Sequence, residues 1–281
     1  MRNGLLSMRR RGRSLRVAAM VAVALAVTAS PARAQLEVEN LEVFLRPDAA
    51  GRVGTVTMRN VGSDAITLSS EFMDWERDLA GTNQYLPLGT TRGSCRNTLS
   101  VFPAALRIEP GQTQQVRVVL ADDAPATVCW SLLTLSQAPQ MVSDSGAVQL
   151  QVVVKTGIKI YVEPAGARRD VSIDSAYVLA DTTLQIDQRT VRGPVAVVYV
   201  GSTGELQARP GGVLELRRLD NSVAGTTAIE AFPVLPGATR RLVIPMPRVA
   251  PGRYVGLVLL DAGGPERVAA QLDVEIGPQE R

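Results

Sequence analysis

The sequence predicts an all-β protein with two immunoglobulin-like β-sandwich domains in tandem. From residue 36 onward, apolar and polar residues alternate in short runs, and no window keeps apolar residues at helical spacing. Seven such runs fall within about 130 residues, which is the strand density of an immunoglobulin-like sandwich. A second series of similar runs follows, so the 281-residue chain has room for two separate cores.

The predicted strands of the first domain are separated by Gly, Pro and Asp, which supply the backbone geometry of turns. They are Leu41–Leu45, Val53–Asn60, Ala65–Phe72, Leu99–Phe102, Thr113–Leu120, Val128–Leu135 and Val148–Tyr161. Pro164 and Gly166 end this series, and we place the domain boundary after residue 164. The predicted domains are residues 35–164 and 165–281, and the second holds Val171–Ile173, Thr183–Asp187, Val195–Val200, Val213–Arg218, Arg240–Ile244, Arg253–Asp261 and Ala269–Ile276.

Residues 1–34 have the pattern of a secretory signal peptide. Several arginines precede an apolar run from Val17 to Ala29, and Pro31-Ala32-Arg33-Ala34 closes it, so we expect cleavage after Ala34. The apolar run is shorter than the roughly 20 residues that a membrane helix needs. We therefore expect an exported, soluble chain with no membrane insertion.

The composition argues against several classes of function. Seven of the 30 basic residues and none of the 27 acidic residues lie in residues 1–34, so the mature chain is expected to be mildly acidic. Such a chain lacks the clustered cations that nucleic acid requires. Histidine is absent, which removes the usual general base and the commonest metal ligand. We predict no enzyme activity, no cofactor and no metal site.

Cys95 and Cys129 are the two cysteines of the chain. Because an exported chain meets an oxidising compartment, we predict a disulfide between them. On the chain-entropy account, this closure stabilises the fold by roughly 4 kcal/mol. The alternative is a redox-active pair, for which the C-x-x-C spacing is missing.

The predicted strand Val148–Tyr161 is the most informative segment. Val148, Leu150, Val152 and Val154 fall on one face and form an apolar ladder. The strand would span about 45 Å, roughly twice an ordinary strand. Two interpretations remain open: a central strand that fills the core, or an edge strand that pairs with a partner polypeptide.

Lysine usage favours a binding role for this strand. Both lysines of the chain, Lys155 and Lys159, lie in it, while every other basic residue is arginine. A lysine retained among arginines indicates a site that needs a compact ammonium group, such as one that receives a carboxylate. A sheltered bond of that kind is worth about 1.5–3 kcal/mol. The alternative is two solvated strand lysines.

Several motifs resemble the first domain of the PapD-like periplasmic pilus-assembly chaperones, over roughly residues 36–164. Residues Thr156–Pro164 (TGIKIYVEP) are similar to the end of that domain. In the second domain the resemblance rests on β-sandwich character and position. The other matching segments, in chain order, are Val56–Gly62, Phe102-Pro103, Leu106–Val118 with its Pro110-Gly111-Gln112 turn, and Trp130–Pro139.

The resemblance implies a periplasmic chaperone that acts by donor-strand complementation. Pilin-like subunits lack one strand of their sandwich, and Val148, Leu150, Val152 and Val154 would fill the open groove, with about 1.5–3 kcal/mol from each buried side chain. Lys159 would hold the C-terminal carboxylate of the subunit between the two domains. An outer-membrane usher would then accept the complex.

One position departs from the pattern of the family. The first strand of the family supplies an arginine to the carboxylate anchor, and Glu42 stands at the corresponding position. Three outcomes follow from this difference. Glu42 pairs with Lys159, another basic residue such as Arg46 replaces the missing arginine, or the client is held in a different way.

Two further interpretations come from residues 74–85. Asp74 and Glu76 flank Trp75, and a glycosidase needs two carboxylates about 5–10 Å apart; a packed tryptophan between solvated neighbours is the structural alternative. Trp75 and Tyr85 would instead form a platform for stacking sugars. On that interpretation, the protein is a secreted carbohydrate-binding or adhesin-type β-sandwich.

Overall fold

The computed structural model describes residues 35–48, 50–122, 127–142, 150–180, 182–186, 189–264 and 267–277. The regular elements of these residues are all strands, which confirms the predicted all-β class. Within the described ranges, no helix has the length and apolar character needed to span a membrane. The predicted signal peptide lies outside the described residues and stays a prediction.

The first sandwich packs two sheets face to face. One sheet has the order β1-β3-β8-β6, and the other has the order β2-β12-β9-β4-β5 with β7 also beside β4. The strands are β1 (Leu36–Val38), β2 (Glu42–Leu45), β3 (Val53–Asn60), β4 (Ile66–Arg77), β5 (Asn83–Leu86), β6 (Leu99–Phe102), β7 (Ala105–Ile108), β8 (Thr113–Leu120), β9 (Cys129–Gln137), β10 (Gln140–Val142), β11 (Leu150–Val152) and β12 (Lys155–Val162).

Alternating side chains create the core of this sandwich. In β8, Val116, Val118 and Leu120 are buried, while Gln115 and Arg117, which alternate with them, face solvent. The same period of two places Val56 and Met58 of β3 in the core. The two sheets therefore share one apolar interior, as the sequence pattern predicts.

The second sandwich follows the same principle. Its sheets have the orders β13-β16-β19 and β18-β17-β20-β21, and they enclose a separate apolar core. The predicted boundary after residue 164 falls between β12 and β13 and stays a prediction. The strands are β13 (Val171–Leu179), β14 (Thr183–Ile186), β15 (Arg189–Arg192), β16 (Val195–Ser202), β17 (Gly211–Arg217), β18 (Val223–Ile229), β19 (Thr239–Pro245), β20 (Gly252–Asp261) and β21 (Val268–Ile276).

The long strand predicted at Val148–Tyr161 is interrupted. Val153 and Val154 separate β11 from β12, so the prediction of one continuous strand is wrong. In the strands that pair with them, Ala138 and Pro139 separate β9 from β10, and Pro139 has no N–H to donate to a ladder. The register consequently shifts by one residue between the two pairs of strands.

The two sandwiches meet at an aromatic cluster. Trp75, Trp130 and Tyr161 of the first sandwich pack with Leu235 of the second. Backbone contacts add to this junction, because the N–H of Arg241 donates to the carbonyl oxygen of Leu79 at 2.8 Å. The junction therefore fixes the side chains at the ends of β4, β9 and β12 relative to the second sandwich.

The predicted disulfide between Cys95 and Cys129 is confirmed, with a Cα–Cα distance of 5.1 Å. Both cysteines are buried in the first core. The bond ties the connection between β5 and β6 to the first residue of β9. It therefore holds a long loop against the central sheet of the first sandwich.

Replacing Cys95 and Cys129 together by alanine should lower the free energy of unfolding by about 2–4 kcal/mol, because the unfolded chain regains the entropy of an open loop. Urea unfolding followed by tryptophan fluorescence measures this change. Adding a reductant to the natural chain should give the same shift and add nothing to the double variant. Equal midpoints for the variant and the oxidised natural chain would contradict the prediction.

Candidate functional site

One edge of β12 is covered over only half of its length. β9 pairs with all of β12, from Lys155 to Val162, whereas β2 pairs in parallel only with Lys159–Val162. On the side where β2 lies, no described strand pairs with residues 155–158, and β11 has β10 as its one described neighbour. We call residues 150–158 the open edge.

The direction of the backbone groups follows from the hydrogen bonds of β2. The N–H of Lys159 donates to Leu41, and the N–H of Glu163 donates to Leu45, both toward β2. Because groups alternate along a strand, the N–H and C=O of Lys155 and Gly157 point the same way. These backbone groups therefore face the open edge.

Apolar side chains accompany the open edge. Val152 and Val154, two of the four predicted ladder residues, are 41% and 47% exposed, and Val153 between them is also exposed. Leu150 lies in β11, and Val148 falls outside the described residues. Consecutive exposed valines beside an uncovered backbone form a surface that is prone to strand pairing.

Lys159 lies where the open edge meets β2. The parallel register places Lys159 opposite Glu42, and Nζ of Lys159 is 4.0 Å from Oε1 of Glu42. Nζ also lies 4.9 Å from the ring centroid of Trp75. Burial lowers the pKa of the Lys159 amine, Arg77 lowers it further, and Glu42 opposes both. The pair of Glu42 and Lys159 that the sequence offered as one outcome is therefore formed.

Arg209 of the second sandwich completes this site, although no pattern in the sequence singles it out. Its Nη2 donates to both carboxylate oxygens of Glu42, at 2.5 and 2.6 Å. Arg209 lies between β16 and β17, so it comes from the second sandwich. Arg46, the replacement suggested from the sequence, is exposed in the turn after β2, with its N–H bonded to Gly51.

Aromatic rings form the floor beneath these charges. Tyr161 stacks on Phe44 at 5.2 Å between centroids and meets Trp75 edge-on at 6.1 Å. The guanidinium carbon of Arg77 lies 5.6 Å from the centroid of Trp75. Burial raises the pKa of the Tyr161 phenol well above its ordinary value, so the phenol keeps its proton. We call Glu42, Arg77, Lys159 and Arg209 with this floor the cation cleft.

The charges of the cation cleft do not balance. Three cations surround one carboxylate, and the charged groups that act on Lys159 are Arg77, Glu42 and Arg209. A partly buried, net positive site with amine and guanidinium donors can bind a carboxylate through charge-assisted hydrogen bonds. The open edge leads directly to this cleft along β12.

The glycosidase and sugar-platform interpretations lack a suitable surface. Trp75 is fully buried, so it cannot stack on a sugar together with Tyr85. Asp74 is also fully buried, and its Oδ2 accepts the N–H groups of Gly89, Thr90 and Thr91 at 2.8–2.9 Å. This carboxylate therefore holds the loop after β5 in place.

The fold and the site define a pair of immunoglobulin-like sandwiches with an open strand edge that ends in a cation-lined cleft. Residues 35–168 match the family described as the pili and flagellar-assembly chaperone, PapD N-terminal domain. The match covers the whole first sandwich, from β1 to β12. None of the curated proteins matches the sequence.

Solved structures of fimbrial chaperones are similar over most of the chain. One, titled "Chaperone-tip adhesin complex is vital for synergistic activation of CFA/I fimbriae biogenesis", has 8% identity, covers 85% of this chain and 99% of its own, and gives a TM-score of 0.50. The class 5 fimbriae chaperone CfaA has 10% identity, 87% and 100% coverage and a TM-score of 0.49. The E. coli chaperone DraB has 16% identity, 86% and 98% coverage and a TM-score of 0.43.

The Lys159 amine should titrate below the ordinary lysine pKa, because burial and Arg77 disfavour its charged form. Lysine-selective ¹³Cε NMR on a Lys155→Arg background isolates its signal, since the chain has two lysines. Glu42→Gln should lower the midpoint further, and Arg77→Gln should raise it.

The same shift links the stability of the chain to pH. Between the lowered folded pKa of Lys159 and its higher unfolded pKa, the unfolded chain binds more protons, so stability should rise with pH across that window. A Lys159 midpoint at or above that of a free lysine side chain would contradict the prediction.

Proposed function

We propose that this chain is a periplasmic pilus-assembly chaperone that binds pilin-like subunits by donor-strand complementation. The observation that carries the proposal is the open edge, with Val152 and Val154 exposed beside it. A subunit that lacks one strand would pair its backbone with this edge. It would receive the valine side chains in its open groove.

Backbone pairing and apolar burial would both favour the complex. Lys155 and Gly157 offer backbone donors and acceptors toward the guest, and each such hydrogen bond contributes about 0.5–1.5 kcal/mol. Burying the exposed part of Val152 and Val154 would contribute about 1 kcal/mol for each side chain. Val148 and Leu150 belong to the proposed ladder on the strength of the sequence pattern.

The cation cleft would receive the C-terminal carboxylate of the subunit. A guest strand that runs parallel to β12, as β2 does, ends with its C-terminus beside Lys159 and the first residue of β2, Glu42. The Lys159 ammonium group would then bind the terminal carboxylate. This contact would set the register of the guest strand on the open edge.

Export and delivery complete the proposed role. The predicted signal peptide and the Cys95–Cys129 disulfide are both typical of a protein that works in an oxidising compartment. The family includes chaperones for pilus assembly. We propose that an outer-membrane usher accepts the complex of this chain with its subunit.

Replacing Val152 by aspartate should weaken subunit binding by about tenfold or more, because a carboxylate would be buried in an apolar groove. Val223→Asp is the matched control, since Val223 is 48% exposed on β18 of the second sandwich, away from the open edge. Affinity capture from periplasmic extract, with mass spectrometry of a small secreted β-subunit, measures the yield. Circular dichroism checks that both variants fold.

Replacing Lys159 by alanine should reduce subunit recovery by about tenfold, since the terminal carboxylate loses its ammonium partner. Lys155→Ala is the control on the same strand, because the Lys155 side chain is exposed and lies 3.4 Å from Glu71. Undiminished recovery with both folded variants, Val152→Asp and Lys159→Ala, would rule out complementation at this edge.

A further inference from the structure

The contact between Glu42 and Arg209 joins the two sandwiches at the point where a guest strand would end. Glu42 is the first residue of β2 and stands opposite Lys159 in the parallel register. Arg209 reaches it from the second sandwich, 167 positions further along the chain, and its Nη2 contacts both carboxylate oxygens. The carboxylate of Glu42 is therefore held as a bound terminal carboxylate would be held.

The exposure of these side chains makes the contact replaceable. The Arg209 side chain is 49% exposed, and those of Glu42 and Lys159 are 27% and 20% exposed. An ion pair that is open to solvent contributes little net stability, because water and salt screen it. A second carboxylate that arrives from the open edge can therefore compete with Glu42 for Arg209 at small cost.

The charge balance of the cation cleft favours such a competitor. Arg77 and Arg209 both disfavour the charged form of Lys159, and Glu42 alone offsets them among the charged groups that act on it. The buried hydroxyl of Tyr161 contacts Arg209, and no residue in the described part of the chain accepts its proton with normal geometry. One additional carboxylate would supply both the missing negative charge and an acceptor.

From this geometry we infer that Arg209 is the second cation of the carboxylate anchor and that Glu42 is a resident carboxylate which occupies the anchor in the free protein. The inference rests on the proposed function and adds a regulatory step to it. When a guest strand docks, Arg209 turns from Glu42 to the guest carboxylate, beside Lys159. The anchor is thus built from both sandwiches and is capped until a subunit arrives.

The test uses one synthetic peptide in two forms. The probe is a twelve-residue peptide of alternating valine and threonine, made with a free C-terminal carboxylate and as the C-terminal amide. The amide signal of Gly157 reports pairing at the open edge, and the ¹³Cε signal of Lys159 reports occupation of the cleft. The natural chain should bind the carboxylate form about tenfold more tightly than the amide form.

The two partners of the ion pair should act with opposite signs. Arg209→Gln should reduce the preference for the carboxylate form to less than about twofold, whereas Glu42→Gln should raise it above that of the natural chain by about threefold or more, because Arg209 is then released. If Arg209 only fixes the arrangement of the sandwiches, both substitutions break the same contact and both should weaken binding. Arg253→Gln, at an exposed arginine of β20, is the matched control.

The outcomes separate the inference from the proposed function. A tenfold preference that survives Arg209→Gln, with the Gly157 signal still shifted, overturns the role of Arg209 and leaves complementation intact. Weaker binding of the carboxylate form after Glu42→Gln overturns the capping role. A Gly157 signal that neither peptide moves overturns the proposed function, and the inference with it.

Discussion

The late start of β2 is the constraint from which the rest of the site follows. β12 needs neighbours on both sides, yet β2 begins at Glu42 and covers only Lys159–Val162. The backbone groups before Lys159 on that side are left without a strand among the described residues. Such an edge is prone to unwanted strand pairing unless a partner completes it. The fold therefore leaves one edge of β12 unpaired up to Lys159, and this unpaired edge ends at the charged residues.

The aromatic junction makes that end rigid. Trp130 donates its Nε1–H to the carbonyl oxygen of Trp75 at 3.0 Å, which couples β9 to β4. Gly93 allows a loop to lie flat on the Trp130 ring, where a Cβ would come within 2.1 Å of the indole. Lys159 and Arg77 both lie against Trp75, so packing on this ring positions their charges, and Glu42 adds an ion pair to Lys159. The second sandwich then adds Arg209 to a platform that is already fixed.

Sequence patterns predicted the strands whose alternation is set by one core. Val53–Asn60, Leu99–Phe102 and Thr113–Leu120 are found at the predicted residues. β4 runs on to Arg77 because Trp75 is buried in the aromatic junction instead of the first core, so the simple alternation is lost there. β18 was missed because its glycine, alanine and threonine residues carry little apolar signal. The interruption after β11 depends on Pro139, which lies between the paired strands β9 and β10. The residues of the interrupted strand themselves therefore give no sign of the break.

The sequence predicted residues of the site only where a residue type was rare or where its position in a predicted strand was informative. Lys159 stood out because lysine is rare in this chain, and its pairing with Glu42 was one of three outcomes expected from the position of Glu42 in the first predicted strand. Arg209 gave no such signal, since it is one of many arginines and reaches Glu42 only through the arrangement of two sandwiches. The arginine that the family carries in its first strand is replaced by Glu42 in the first sandwich. The arginine that contacts Glu42 here, Arg209, lies in the second sandwich. A comparison limited to the first domain therefore finds Glu42 but does not find the arginine that contacts it across the junction.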